Sequence, residues 1–335
     1  MAECRFPFAK YPIVTLAHGA GGRFTQQLID DIFSAALPHA QVRHDGALVE
    51  LTDRSGTVVM STDSYVVKPL FFPGGDIASL AVTGTCNDLA MCGAQPKALS
   101  CGWIIEEGFP TRKLYDLARS MAAAAVEVGA DVVTGDTKVV EKQHGDGVYL
   151  NVTGIGMPRF ASHPDRIRAG AAVLLSGDVG RHGCAILTQR EDLQLQEPIL
   201  SDCAHLWPQV QRLQPLAASV HCLRDLTRGG LATALAELSE ASATAIVIDR
   251  ERVPVSDAVA SVCELFGLDP LYVANEGRMV VICEDGAEEM VRAAMGADAV
   301  CIGRVESGRG VVANSAFGGS QVLDRLSGEQ LPRIC

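Results

Sequence analysis

A chain of 335 residues, 48% of them apolar and 20% charged, with 33 glycines, is long enough for two hydrophobic cores and too apolar to stay disordered. Its formal net charge of −12, with no dense Lys/Arg run to offset it, argues against nucleic acid as a partner. The eleven cysteines are odd in number, scattered singly and never spaced CxxC, so they fit reduced thiols in the cytoplasm better than disulfides or a zinc site.

In chain order, the opening MAECRFPFAKYPIVTLAHG lacks a basic region followed by a sustained apolar core. No apolar run anywhere reaches the ~20 residues of a membrane span, so a cytoplasmic protein with no membrane contact is expected. Phe24, Leu28, Ile32 and Ala36 recur at four-residue spacing, with Ile29, Phe33 and Leu37 beside them, which predicts an amphipathic helix ended by Pro38. Residues 57 to 61 (TVVMS) and 148 to 155 (VYLNVTGI) are β-branched and apolar, as strands are. Two helices are predicted between them. One starts near Asp76 and carries Ile77, Leu80 and Ala81; the other starts at Thr111 as its cap, carries Leu114, Leu117, Ala118 and Met121, and stops at Gly129.

The stretch Met157 to Gly170, with Pro158, Pro164 and several charges, marks a domain boundary. Beyond it, strand-like AAVLLS (171 to 176), AIVI (245 to 248), MVVIC (279 to 283) and AVCIG (299 to 303) alternate with helical stretches near 203 to 217, 229 to 240 and 256 to 266. The pattern predicts an α/β protein with domains at residues 1–160 and 161–325. Residues 326–335 carry no periodic apolar pattern and are expected to form a mobile tail.

No GxxxxGK[ST] loop, no GxGxxG after a strand and no HExxH helix is present, which disfavours those nucleotide and zinc families. What stands instead is a set of Asp-bearing turns: Asp63 in STDSYVV, Asp88 in GTCNDLAMCGA, and Asp136 in GDTKVV. Three carboxylates on separate loops can converge on Mg²⁺, which prefers hard oxygen ligands and bridges them to phosphates. For any one of them, capping backbone amides in a turn is the commoner role.

Glycine-rich HGAGG at 18 to 22 can wrap phosphate oxygens at the start of a helix, a weak signal alone. DLTRGGL at 225 to 231 has the same form, and is equally a tight strand-to-helix connection. Lys138 follows Asp136 by two residues and Glu276 lies in the VANEGR turn. Such residues are usually solvated; as a pair they can manage protons if partial burial brings either pKa toward neutrality. The chain ends on Cys335, an exposed and reactive thiol on this reading. Pro332 occupies the position where a prenylation signal needs cysteine, so lipid anchoring is excluded by that rule.

Together LAHGAGG, STDSYVVKPLFFPGG, GTCNDLAMCGA, GDTKVV, DLTRGG, VANEG and terminal PRIC resemble, in the same order along the whole chain, the HypE family of hydrogenase-maturation proteins. The resemblance implies the two-domain α/β (α+β) fold of aminoimidazole ribonucleotide synthetase-like proteins, with N-terminal sheets joined into a barrel in a homodimer. It implies an ATP-dependent carbamoyl dehydratase, using ATP and Mg²⁺. The S-carbamoyl group on Cys335 becomes a thiocyanate, the source of the cyanide ligands of the [NiFe]-hydrogenase iron centre. The implied partners are the carbamoyltransferase HypF, which loads the sulfur, and the scaffold pair HypC and HypD, which receive the product.

By the same resemblance Asp63, Asp88 and Asp136 hold the metal, and Glu276 takes protons from the carbamoyl nitrogen with Lys138 assisting. His18, Gly19, Gly21, Gly22, Asn87, Asp225, Arg228, Gly229 and Gly230 bind the nucleotide. Two rivals remain at this point: another enzyme of the superfamily acting on a free small-molecule amide or phosphate, and a non-catalytic cysteine carrier.

Overall fold

The computed structural model describes residues 5–15, 18, 27–37, 56–316, 318–325, 331 and 334. Cys335, Gly19, Gly21, Gly22 and Phe24 lie outside the described residues, as does Pro38.

The periodic segment near the N-terminus is helical from Ile29–Phe33 into Ser34–Ala36, and it buries Leu28, Ile32 and Ala36. Strand β1 (Val59–Tyr65) starts two residues after the expected strand and runs four beyond it, because its second half, Thr62 to Ser64, is polar and exposed. A small hairpin of β2 (Phe71–Phe72) and β3 (Gly75–Asp76) leads into helix α1 (Ile77–Met91). Asp76 caps that helix: its carboxylate accepts the N–H groups of Ala78 and Ser79, while the Ser79 hydroxyl accepts the N–H of Asp76. This reciprocal capping satisfies donors that a helix start otherwise leaves orphaned. Helix α1 is buried nearly all round, polar Thr83, Thr85 and Asn87 included, which matches its apolar and small residues.

Strand β4 (Ala94–Glu106), helix α2 (Thr111–Val128), β5 (Asp131–Val140) and β6 (Val148–Pro158) complete the first unit. Pro110, not Thr111, is the cap residue of α2; the Thr111 hydroxyl donates to the carbonyl of Tyr11 instead. Gly129 ends α2 at φ +75°, the left-handed conformation that glycine adopts without strain. The four strands form one sheet in the order β1-β6-β4-β5, antiparallel except for the parallel pair β4/β5 around α2.

The chain changes sheet between Pro158 and the start of β7 (Ala172–Leu175). In sequence, α3 (Arg181–Arg190), α4 (Trp207–Leu213), β8 (Val220–Asp225), α5 (Gly230–Ser242), β9 (Ala245–Asp249), α6 (Asp257–Phe266), β10 (Met279–Cys283), α7 (Glu288–Met295), β11 (Val300–Glu306), β12 (Gly310–Asn314) and β13 (Ser320–Leu323) follow. Their sheet has the order β13-β12-β9-β11-β7-β10-β8.

Alternation along β7 explains the layers. Val173 and Leu175 point to a core shared with Leu231, Leu235 and Leu238 of α5. Ala172 and Leu174 point to the opposite core, with Trp207, Val210 and Leu213 of α4 and Val291 and Met295 of α7. Because β7 and β10 are covered on both faces, both read as continuous apolar runs.

Two contacts tie the units together. Ala90 and Met91 at the end of α1 pack into the second unit's core. Ile186 of α3, Ala274 and Ile334 pack into the first. The seam between the units is therefore apolar at both ends, and the polar residues of interest lie along it.

Candidate active site

Four acidic side chains gather at the seam from four segments. Asp88 projects from α1, where its Oδ2 accepts the Ser61 hydroxyl of β1 at 2.7 Å. Asp63 lies two residues further along β1, and its Oδ1 accepts the N–H of Ser64 at 2.8 Å. Asp225 ends β8 and is 5% exposed. Glu276 occupies the loop before β10 and is 2% exposed.

Their charges act on one another. Burial first, then Asp88, pushes the Asp225 carboxyl up to about 7. Burial, then Asp202, Asp225, Asp63 and Asp88, raises Glu276 well above the ordinary glutamate range. Asp88 is raised as well, mainly by burial and further by Asp63, against the lowering effect of the Ser61 hydrogen bond. Oδ2 of Asp225 and Oε1 of Glu276 are buried without a hydrogen-bond partner. Buried, unpartnered carboxylate oxygens of this kind are costly in an apo protein and suit a hard cation such as Mg²⁺. As they stand, no three His, Cys, Asp or Glu side chains among the described residues form a ready metal cage.

Glu276 is held by its backbone. Its N–H donates to Asp202 Oδ1 at 3.2 Å, the N–H of Gly277 donates to Asp202 Oδ2 at 3.1 Å, and its carbonyl accepts from Asn87 Nδ2 at 3.2 Å. Asn87 also donates to the carbonyl of Ala204 at 3.0 Å and accepts the N–H of Leu206 at 2.8 Å. Expected among the nucleotide-binding residues, Asn87 spends both ends of its amide fastening the 204–206 segment and the Glu276 loop to α1.

Asp136 and Lys138 stand elsewhere. Asp63 shares a row of the first sheet with Val152, Cys101 and Gly135, whereas Asp136 shares the next row with Gly102 and Asn151. Successive rows point to opposite faces, and three strand spacings put the edges about 14 Å apart. Asp136 therefore lies on the far edge and the outer face, where its Oδ2 is 2.9 Å from Lys138 Nζ. The Lys138 hydrogen bond holds the Asp136 carboxyl below its usual range. Within one protomer the Asp63, Asp88 and Asp136 trio does not converge, and Lys138 does not meet Glu276.

His18 is 2% exposed, packs near Phe6 and Tyr11, and its Nδ1 accepts the N–H of Thr15 at 3.1 Å. Arg228 is exposed in the turn before α5. The two glycines after it are required by the backbone: Gly229 at φ +77° and Gly230 at φ +61°, where a Cβ on Gly230 would stand 2.7 Å from the carbonyl oxygens of Leu271 and Val273.

Sequence reasoning missed His182, Ser201 and Asp202. His182, on α3, is fully buried. Its Nδ1 lies 2.8 Å from Ser201 Oγ and its Nε2 lies 2.5 Å from the carbonyl oxygen of Ile334. The GRHG stretch that opens α3 was the available signal, but an Arg-His pair between two glycines does not reveal a partner 152 positions away.

This fold is that of the AIR synthase related proteins: the model of that family's N-terminal domain matches residues 43–157 and that of its C-terminal domain residues 168–314. The chain is 48% identical over 332 residues to the carbamoyl dehydratase HypE of Cupriavidus necator, covering 96% of this chain and 95% of that protein. It matches the crystal structure of a hydrogenase maturation protein HypE in complex with ATP at a TM-score of 0.91 and 43% identity, over 96% of this chain and 99% of that one. A chain of a HypE–HypF complex matches at 0.79 and 41%, over 91% and 100%. The chain belongs to the HypE family.

Proposed function

We propose that this protein is an ATP-dependent carbamoyl dehydratase of hydrogenase maturation, which converts an S-carbamoyl group on its own Cys335 into a thiocyanate. The observation that carries this reading is the position of Ile334. Ile334, one residue before the sulfur, is seated at the same seam that holds Glu276 and the carboxylate group. Among the described residues no helix is long and apolar enough to cross a membrane.

The chemistry follows from the poor leaving ability of an amide oxygen. The carbamoyl oxygen attacks the γ-phosphorus of ATP, the bond to ADP breaks, and the nitrogen gives up one proton. Loss of phosphate with the second proton then leaves S–C≡N, so the elements of water depart in phosphate and protons. Glu276 is the group assigned to take the nitrogen's protons; its ionised form is the base, and the burial that raises its pKa makes that form a stronger proton acceptor. Asp63, Asp88 and Asp225 offer oxygen ligands for Mg²⁺, which when bound supplies neutralising charge for phosphoryl transfer.

Asp136 and Lys138 join this scheme only across subunits. A homodimer that unites two four-stranded sheets would bring these residues of one protomer to the carboxylates of its partner. Residues 1–160 are then the ATP-binding and dimerisation domain, 161–325 the second domain and 326–335 the carrier tail. HypF is assigned as the donor of the carbamoyl group, in keeping with the HypE–HypF complex, and HypC with HypD as acceptors of the product.

Incubating carbamoylated protein with Mg-ATP and weighing the C-terminal peptide tests the reading. Loss of the mass of one water is expected. An unchanged adduct would instead support a non-catalytic carrier, and activity only on a free small molecule would support another enzyme of the superfamily.

A further inference from the structure

We propose that His182 and Ser201 form a latch that docks the C-terminal tail by reading the main chain of its penultimate residue, and that this latch positions the tail for the chemistry. The inference deepens the reading above and rests on it for its catalytic half alone.

The hydrogen bonds fix the roles. A carbonyl oxygen only accepts, so His182 Nε2 carries the proton and donates to Ile334. Nδ1 is then the acceptor and takes the hydroxyl proton of Ser201, whose oxygen in turn accepts the N–H of Cys203 at 3.1 Å. The imidazole is neutral in this arrangement, in keeping with burial, which lowers its pKa. Phe72 packs edge-on against the ring at 5.4 Å between centroids, which keeps its plane fixed.

The tail brings its own half of the contact. The Ile334 side chain is 8% exposed in the core that also holds Phe72, Ile186 and Ala274. Leu331, three residues earlier, packs against the cluster containing Cys184 and Val273. One apolar anchor at each end and one main-chain hydrogen bond form a recognition unit that is indifferent to the chemical state of the terminal sulfur. The same site therefore accepts the tail before and after Cys335 is modified.

The latch also connects to the catalytic loop. Ser201 contacts His182, while the next residue, Asp202, holds the backbone of Glu276 and Gly277. Seating the tail thus fixes one end of a three-residue strap whose middle positions Glu276. His182 touches no reacting atom on this account and is a positioning residue.

The test uses the full chain with His182→Ala, His182→Gln and Ile334→Asp, the last altering only the tail. Hydrogen exchange of the C-terminal peptide reads docking without any turnover. His182→Ala and Ile334→Asp are expected to speed exchange about tenfold, the loss of one to two contacts of this size. His182→Gln, whose amide still donates, recovers part of the protection. Single-turnover dehydration of carbamoylated protein should slow in parallel, with ATP affinity unchanged by calorimetry.

Unchanged tail exchange in both Ile334→Asp and His182→Ala overturns the latch. Faster exchange with an undiminished dehydration rate overturns the positioning role. If the parent protein releases no water from the carbamoyl group, the enzymatic reading fails, and the exchange data still decide the docking.

Discussion

Asp202 holds the loop of Glu276 with both of its carboxylate oxygens, one on the N–H of Glu276 and one on that of Gly277. The contact joins geometry to electrostatics, because Asp202 is also the neighbour that does most to raise the Glu276 pKa after burial itself. A base fixed and tuned by one residue can be retuned by replacing that carboxylate with an amide, which removes the charge and keeps one of the two acceptor oxygens.

Asp202→Asn should therefore shift the pH dependence of dehydration. Removing a negative charge beside Glu276 lowers its pKa, so the base ionises at lower pH and the acid limb of the rate profile moves to lower pH. Single-turnover rates measured across pH on carbamoylated protein give the limb directly. A limb that stays in place would remove Glu276 from the role of base.

Gly277→Ala probes the same contact sterically. A Cβ there would stand 2.0 Å from the carbonyl oxygen of Asp202 and 3.1 Å from Ala204, so backbone must move. We expect the melting temperature to fall by roughly 5 °C or more. Gly102→Ala is the comparison, since its nearest new neighbours are 3.8 Å away, and it should melt within about 2 °C of the parent.

What could be read from the chain beforehand divides along physical lines. Strands covered on both faces, β7 and β10, announce themselves as AVLL and MVVIC, and Asp76 and Gly129 mark helix ends through local capping chemistry. Edge strands were harder: β1 and β5 carry polar, exposed residues over much of their length. Helix α3 escaped because it opens on Gly180 at φ +92° with no side-chain cap. In the site, Asp63 and Asp88 were expected in turns but lie within β1 and α1, because a short polar interruption of a regular element reads locally like a turn; Asp225 ends β8 and Glu276 does lie in a loop. The separation of Asp136 from Asp63 depends on strand order, which local pattern does not carry, and the roles of His182 and Asp202 depend on contacts between distant segments.

Asp225→Asn should stabilise the metal-free protein at neutral and alkaline pH. The folded state raises this carboxyl from 3.8 to about 7, so it binds a proton more tightly folded than unfolded. Its ionisation then costs stability progressively as pH rises from about 4 to about 7, and by a constant amount above that. In EDTA the variant should melt with the parent near pH 4 and about 3 °C or more above it at pH 8. Its Mg²⁺ affinity should fall at the same time, measured by calorimetry. Equal melting at pH 8 would mean the carboxyl is not held in an unfavourable place.

The position of Asp136 yields the most discriminating prediction. Asp136→Ala should weaken Mg-ATP binding in calorimetry, whereas Cys335→Ala should leave it intact and abolish thiocyanate formation. In one protomer, however, Asp136 is on the sheet edge and face opposite Asp63, so both can serve one nucleotide only if they come from different subunits. Mixing Asp136→Ala protein with Asp63→Ala protein separates the cases. In a symmetric dimer with shared sites, each mixed dimer contains one site with both carboxylates intact, so activity should recover to about a quarter of the parent after subunit exchange. A mixture as inactive as its components would show that Asp63 and Asp136 do not complete one site across subunits, and would remove Asp136 from the nucleotide site.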